Sequence, residues 1–261
     1  MKSKPIGIFD SGVGGLTILK QLYTHFPNES FIYVGDSARA PYGEKTPEEL
    51  YTINKEIICF LLKNHIKALV MACNTSCAQL LPKIRKEFSL PIIDLIAPAA
   101  EAAVKATNNN KIAILATTRT ISLHAYKKAI HKLNPAIQVL EVACPKLVPL
   151  VEQGNIYSDQ SFRIANAYFQ EVLKFGADTL VFGCSHYPYF ENVFNKLTSK
   201  SLNYIDPAIT QISQIKPALD PAKTSTQGTT DYWVSGDKKI FQNFLTRYLQ
   251  KPNQTINTYP A

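Results

Sequence analysis

One eight-residue message occurs twice in this chain. Ala68-Leu69-Val70-Met71-Ala72-Cys73-Asn74-Thr75 is echoed 111 positions later by Thr179-Leu180-Val181-Phe182-Gly183-Cys184-Ser185-His186. Each copy is a short apolar run that ends in a cysteine and then turns polar. A strand buried on both faces of a parallel sheet reads that way, and ligands bind at its carboxyl end in open α/β sheets. The echo extends to loops: at the same offset, Pro41-Tyr42-Gly43 stands opposite Glu152-Gln153-Gly154. A period near 110 residues marks a duplicated domain, not a solenoid. Two equivalent half-sites, each presenting a thiol, suit chemistry that needs one thiol on each side of a substrate.

The order of elements agrees. Ile6–Phe9 is an apolar strand, Asp10–Gly15 a tight turn, and Leu16–Phe26 a helix. A strand at Phe31–Val34, a turn-rich loop from Gly35 to Pro47, a helix over Glu48–Asn64 and the strand Ala68–Ala72 follow. Pro91–Asp94 is expected to be a fourth strand. The pattern then restarts with a strand and turn at Lys111–Thr118, a helix over Ile121–Leu133, a strand at Ile137–Val142, a helix over Ser158–Phe175 and the strand Thr179–Phe182. Helices between apolar strands predict βαβ units and parallel sheets. The expected fold is α/β: two pseudo-symmetric lobes from an internal duplication, each a mostly parallel sheet flanked by helices, with the site in the cleft between them. The remainder holds Asn203–Pro207, a loop with Pro217 and Pro221, a strand at Tyr232–Val234 and a helix from about Asp237 to Leu249, with Ser235 as its expected cap. This end segment is expected to rejoin the first lobe, because domain termini tend to lie close together. The expected lobes are residues 1–97 with 207–261, and residues 98–206. The polar tail from Lys251 to Ala261 is expected to fray.

Bulk composition narrows the function. With 46% hydrophobic residues in 261, the chain can bury a large core and is not disordered. Its charge is +8, but the basic residues are dispersed, and no basic run is longer than a pair such as Lys127-Lys128 or Lys238-Lys239. Nucleic-acid binders concentrate charge in a patch, so a positive field fits an anionic small substrate better. Five cysteines form no dense framework, no apolar stretch has transmembrane length, and Met1–Pro5 runs straight into a strand without a signal-peptide core. A cytoplasmic protein with reduced thiols and no membrane partner is expected.

Cys73 and Cys184 each follow a strand and precede a helix, where backbone N–H groups and the helix dipole stabilise a thiolate. The competing reading is two buried small hydrophobes, and their equivalence in the repeat weighs against it. Asp10, in the turn Asp10-Ser11-Gly12, is either a helix cap or a carboxylate beside a thiol. Gly12-Val13-Gly14-Gly15 lacks the P-loop lysine and the full dinucleotide fingerprint. His186, two residues after Cys184, is placed to orient or deprotonate that thiol. A metal-binding Cys-x-His pair is the rival, but a structural zinc needs four ligands, and Cys73-x3-Cys77 supplies no convincing second pair. Glu152 is singled out by the repeat alone. A hydrolase built on Cys184 and His186 would leave Cys73 and the repeat without purpose. Asp36 and Arg39 either line the cleft or form a surface ion pair. Cys59 reads as the buried face of a helix, and Cys77 and Cys144 as packing residues.

Four stretches carry a resemblance: Gly7-Ile8-Phe9-Asp10-Ser11-Gly12-Val13-Gly14-Gly15-Leu16, Gly35-Asp36-Ser37-Ala38-Arg39-Ala40-Pro41-Tyr42-Gly43, Ala72-Cys73-Asn74-Thr75, and Gly183-Cys184-Ser185-His186-Tyr187-Pro188. In this order they resemble the bacterial glutamate racemases, within the aspartate/glutamate racemase superfamily. The likeness runs over nearly the whole chain and is weakest from 198 to 230. It departs at Ser185, more often threonine in the family, and at Tyr189, often leucine. Serine keeps the hydroxyl, whereas tyrosine alters packing around the site.

The resemblance implies interconversion of L- and D-glutamate without a cofactor or metal, supplying D-glutamate for peptidoglycan. It implies that Cys73 exchanges a proton with D-glutamate and Cys184 with L-glutamate, assisted by Asp10, Glu152 and His186. It assigns Asp10, Ser11, Pro41, Tyr42, Gly43, Asn74, Thr75, Thr117, Thr118, Ser185 and His186 to the substrate's carboxylates and ammonium. Homodimers are common in the family. Aspartate racemases and related cysteine isomerases share the two-thiol layout and are the nearest alternative. A non-catalytic gyrase- or DNA-associated binding protein on the same scaffold is the alternative from another class, and the presence of both cysteines argues against it.

Overall fold

A computed structural model describes residues 4–198, 201–218 and 227–261. Among the described residues ten strands run in chain order: β1 (Ile6–Asp10), β2 (Phe31–Gly35), β3 (Ala68–Met71), β4 (Ile92–Ile93), β5 (Lys111–Ala116), β6 (Gln138–Ala143), β7 (Thr179–Gly183), β8 (Asn203–Ile205), β9 (Thr230–Val234) and β10 (Ile256–Thr258). The helices are α1 (Leu16–His25), α2 (Pro47–Lys63), α3 (Asn74–Glu87), α4 (Ile96–Ala106), α5 (Thr118–Ser122), α6 (Ala125–Leu133), α7 (Leu147–Glu152), α8 (Asp159–Phe175), α9 (Glu191–Leu197), α10 (Pro207–Thr210), α11 (Ile212–Ile215) and α12 (Lys238–Arg247).

Two parallel sheets result, ordered β10-β9-β2-β1-β3-β4 and β6-β5-β7-β8. The order β2-β1-β3-β4 repeats as β6-β5-β7-β8, so the duplication seen in the sequence is a duplication of topology. In each sheet the chain crosses from one side of the first strand to the other, between β1 and β3 and between β5 and β7. A doubly wound sheet opens a crevice at such a switch point, outside the carboxyl ends of the strands. Asp10 and Cys73 lie at the first switch point, and Thr117 and Cys184 at the second.

The elements form for local reasons. The central strands β1, β2, β3 and β7 are buried along their whole length, as expected of apolar runs covered on both faces. Thr46 and Glu49 cap α2 reciprocally, with Pro47 at its first position. α8 lays Ala165, Phe169 and Val172 on the second sheet, where Phe169, Phe194 and Phe182 form a stack. Burying each such ring contributes roughly 2–3 kcal/mol.

Several expectations are corrected. The helix read over Ile121–Leu133 is two, α5 and α6, because His124 takes a left-handed conformation (φ 52°) between them. Ser235 does not cap α12. Asp237 does, accepting from the Lys239 and Ile240 N–H groups. The tail does not fray, since β10 pairs with β9 and buried Tyr259 packs edge-on against Phe60. The loop from Gly35 to Pro47 contains two short 3-10 turns, at Ser37–Arg39 and Tyr42–Glu44, joined through a cis Ala40–Pro41 bond. Cys59 is only half-buried. Pro221 lies outside the described residues.

Candidate active site

β1 delivers Asp10 to the base of the glycine turn, fully buried. The glycines there make room for the opposite lobe. A Cβ on Gly12 would stand 1.9 Å from Glu152 Oε1, and one on Gly14 would stand 2.3 Å from His186 Nδ1. No side chain fits at either place unless Glu152 or His186 moves. Hydrogen bonds hold the turn open to its partners. Tyr33 donates to the Gly12 carbonyl (2.6 Å), Tyr189 to the Val13 carbonyl (3.0 Å), and the Val13 N–H to Glu152 Oε1 (2.8 Å).

β7 delivers the second thiol. Cys184 Sγ lies 3.8 Å from His186 Nδ1, and His186 Nε2 lies 2.6 Å from Glu152 Oε1. Glu152 is the last residue of α7, not a loop residue as the repeat implied. Burial opposes the imidazolium, but hydrogen bonds to Cys184 and Glu152 outweigh it and hold the His186 pKa well above the ordinary histidine value. With both ring nitrogens facing acceptors, the doubly protonated form satisfies the site. Ser185 donates to both Asp10 oxygens, at 2.9 and 3.1 Å, and its oxygen lies 3.3 Å from His186 Nδ1. One hydroxyl thus links the Asp10 carboxylate of the first lobe to the imidazole of the second.

The first thiol sits in a different environment. Cys73 is the N-cap of α3 and is 4% exposed. Burial, then the Asp10 charge, pushes its pKa up to about 12. The Ser76 N–H and hydroxyl oppose this, and the charge of Cys184 adds to it. Burial likewise raises Asp10 above the usual carboxylate range, with His186 opposing. Cys73 therefore rests as a thiol beside a carboxyl group of enhanced basicity. Cys184, 5% exposed, rests beside a cation.

Around the thiols, Thr75 and Thr117 meet across the lobes (2.9 Å), with Thr120 3.0 Å from Thr117. Asn74 accepts from Tyr126, which leaves its side-chain NH2 a buried donor without a protein partner among the described residues. A Cβ on Gly43 would stand 2.8 Å from Thr117, so the Tyr42–Glu44 turn closes against the second lobe. Pro41, Gly43, Thr117 and Thr118 line a narrow opening with Glu44, Pro145 and Val148. Of the residues that the resemblance assigns to the substrate, Thr118 is exposed and Ser11 is buried. Larger surface concavities occur elsewhere and contain none of the catalytic candidates.

The Asp36–Arg39 ion pair read from the sequence forms (2.7 Å), but its carboxylate is buried instead of lying at the surface. Asp36 is fully buried and accepts from Tyr42 (2.5 Å), Arg39 Nε (2.7 Å) and Ser235 (2.8 Å). It anchors Tyr42 from behind instead of lining the cleft. Ser76, Tyr33, Thr17, Thr120 and Tyr126 also escaped sequence reasoning. Only Ser76 carried a local signal, as the third residue after Cys73 on a helix start. Among the described residues no cluster of three or more metal-ligating side chains comes together, and no helix is long and apolar enough to cross a membrane.

Comparison with known proteins bears on this arrangement. The family model described as Asp/Glu/hydantoin racemase matches residues 17–215. A glutamate racemase from Trichodesmium erythraeum is 39% identical over 264 aligned positions, covering 100% of this chain and 97% of that one. The crystal structure of a glutamate racemase isoform from Bacillus anthracis superposes with a TM-score of 0.90 at 31% identity, covering 100% of this chain and 98% of that one. A glutamate racemase from Francisella tularensis, solved in complex with D-glutamate, superposes with a TM-score of 0.87 at 30% identity over 100% and 98% of the two chains.

Proposed function

This chain belongs to the Asp/Glu/hydantoin racemase family, and from that membership we propose that it interconverts L- and D-glutamate by proton transfer between two cysteines. The observation that carries the reading is the pair of thiols at equivalent switch points: Cys184 stands 3.8 Å from His186, which is 2.6 Å from Glu152, and Cys73 lies in the field of the buried Asp10 carboxyl, which we assign as its proton partner.

From L-glutamate, the Cys184 thiolate takes the α-proton, and the Cys73 thiol delivers one to the opposite face. From D-glutamate the roles reverse, with Asp10 accepting the Cys73 proton and His186 supplying one to Cys184, which then delivers it to the α-carbon. Each C–H bond broken is matched by one formed, and no electrons leave the substrate. The raised pKa of Cys73 suits a donor. The substrate's ammonium, on the same carbon, brings the cation that this half of the site lacks and favours the thiolate when Cys73 must act as base. The carbanion adjoins a carboxylate, so preorganised donors must hold that group. Ser11, Asn74, Thr75, Thr117 and the backbone of Tyr42, Gly43 and Ser185 supply them, with Pro41 and Thr118 at the rim. Asn74 has an unpaired donor to offer. The same reading has the enzyme working in the cytoplasm as a homodimer and supplying D-glutamate to peptidoglycan synthesis.

Cys73→Ala and Cys184→Ala are each expected to lower racemisation by about 10³-fold or more in both directions, followed by circular dichroism of the substrate. The enantiomers are equally stable, so kcat/KM must be equal in the two directions for every variant. In heavy water the first product carries deuterium at the α-carbon and recovered substrate does not. Equal label in both pools, or activity retained by either alanine variant, overturns the two-base reading. Turnover of aspartate in place of glutamate would move the enzyme to the aspartate racemases.

A further inference from the structure

Tyr189 is buried, yet nothing in the proton transfers above uses it. It lies five residues beyond Cys184, in the 3-10 turn Tyr187–Phe190. Its ring packs edge-on against Phe244 (5.2 Å between centroids) and Tyr248 (4.7 Å), which follow β9 on the chain segment that returns to the first sheet. Its hydroxyl crosses the cleft and donates to the Val13 carbonyl at 3.0 Å. The N–H of the same residue, Val13, donates to Glu152 Oε1 at 2.8 Å, and that oxygen also meets His186 Nε2 at 2.6 Å. A leucine, frequent in the family at this position, has no hydroxyl to make this bond.

We propose that Tyr189 is a positioning residue for the Cys184 half of the site: its hydroxyl fixes the Val13 segment, whose N–H fixes the Glu152 carboxylate against His186. The geometry requires an anchor. The turn is built on Gly12 and Gly14, which have no side chains of their own to hold it, and a Cβ on Gly12 would collide with Glu152. Tyr33 secures the Gly12 carbonyl and Tyr189 the next one, so two hydroxyls from opposite lobes immobilise consecutive peptides. The Val13 N–H belongs to the peptide that Tyr33 holds, and Tyr189 holds the peptide on the other side of Val13; without that second bond the turn pivots at Val13 and its N–H drifts from Glu152. That carboxylate then divides its time between the imidazole and other orientations.

This inference rests on the proposed proton transfer for its kinetic consequence, but its structural part can be tested alone. Tyr189→Phe removes one oxygen and keeps the ring packed. The His186 ring faces Glu152 from α7, Cys184 from the end of β7, and Asp10 through Ser185. Of these, only Glu152 loses its anchor in the variant. An NMR titration of the His186 ring nitrogens is therefore expected to move to lower pH in Tyr189→Phe. It is expected to be unchanged between Glu152→Gln and the double variant. For glutamate racemisation, kcat is expected to fall about fivefold in Tyr189→Phe, the value of one modest hydrogen bond, with KM within twofold. In the Glu152→Gln background the same substitution is expected to cost nothing, because the two act as one unit. An unmoved His186 titration overturns the inference. So does an equal fall in kcat in both backgrounds, which would make the role independent of Glu152. A wild-type enzyme inactive on glutamate overturns the proposed function instead, and the titration still decides the role of Tyr189.

Discussion

At the scale of the residue, the site is built as much by side chains left out as by those supplied. Gly12 and Gly14 leave the space that Glu152 and His186 fill from the other lobe. Gly14→Ala would put a Cβ 2.3 Å from His186 Nδ1 and 2.5 Å from the Ser185 hydroxyl, so the imidazole must shift. A displacement of about 1 Å at a catalytic group costs about 10²-fold in rate. The expected outcome is a kcat lowered by that order with the far-ultraviolet circular dichroism spectrum unchanged. The placement of Cys73, Cys184, Asp10 and His186 at strand ends was legible in the chain, because each follows an apolar run that reads as a buried strand. Asp36 was not. Its burial depends on Ser235, 199 positions away, and the sequence alone makes a short-range Asp36–Arg39 pair look like surface decoration. Ser235 was misread for the same reason: a serine shortly before a helix looks like a cap, whereas this one serves Asp36 and the Ala38 N–H.

At the scale of the element, strands were easier to find than helix ends. Apolar runs buried on both faces announce themselves, while a helix boundary turns on one or two backbone angles. Nothing about His124 in the sequence marks the left-handed turn that divides α5 from α6. Its ring pairs with Glu141 at 2.6 Å, a partner on β6 that appears only once the sheet exists. The cap of α12 is a place where the assignment can be tested. Asp237 accepts from two N–H groups of the first turn. Asp237→Ala is expected to cost about 1 kcal/mol and lower the melting temperature by about 2–4 °C, measured by thermal denaturation, with kcat unchanged. β10 was missed because three residues of a polar tail carry little signal. Its pairing with β9 and the burial of Tyr259 hold it in the sheet.

At the scale of the whole molecule, two sheets with matching strand order face their switch points toward one another, and segments that join them carry unusual groups. Asp206 lies between β8 of the second sheet and α10, which packs on α1 of the first lobe and on α4. Burial raises its pKa to about 6, with the Ala208 N–H opposing and Glu191 adding to the rise. The native state then holds this proton more tightly than the unfolded chain. Stability from this group falls as pH rises from about 4 to about 6, and the cost persists above that. Asp206→Asn keeps an acceptor for the Ala208 N–H and removes the charge. The melting temperature is expected to rise by about 2–4 °C at pH 7.5 and to be unchanged below pH 4. A gain of the same size at both values would refute this account of Asp206.

The chain by itself determined the α/β class, the duplication and the two cysteines, because local hydrophobic runs and a repeated motif are properties of neighbouring residues. Only the tertiary structure decided that Glu152 reaches His186, that Ser185 bridges to Asp10, and that Tyr189 holds the turn between them. Those contacts join residues 34 to 176 positions apart. Their geometry exists only after the two sheets have closed on each other, since hydrogen bonding reads distance in space and not separation along the chain.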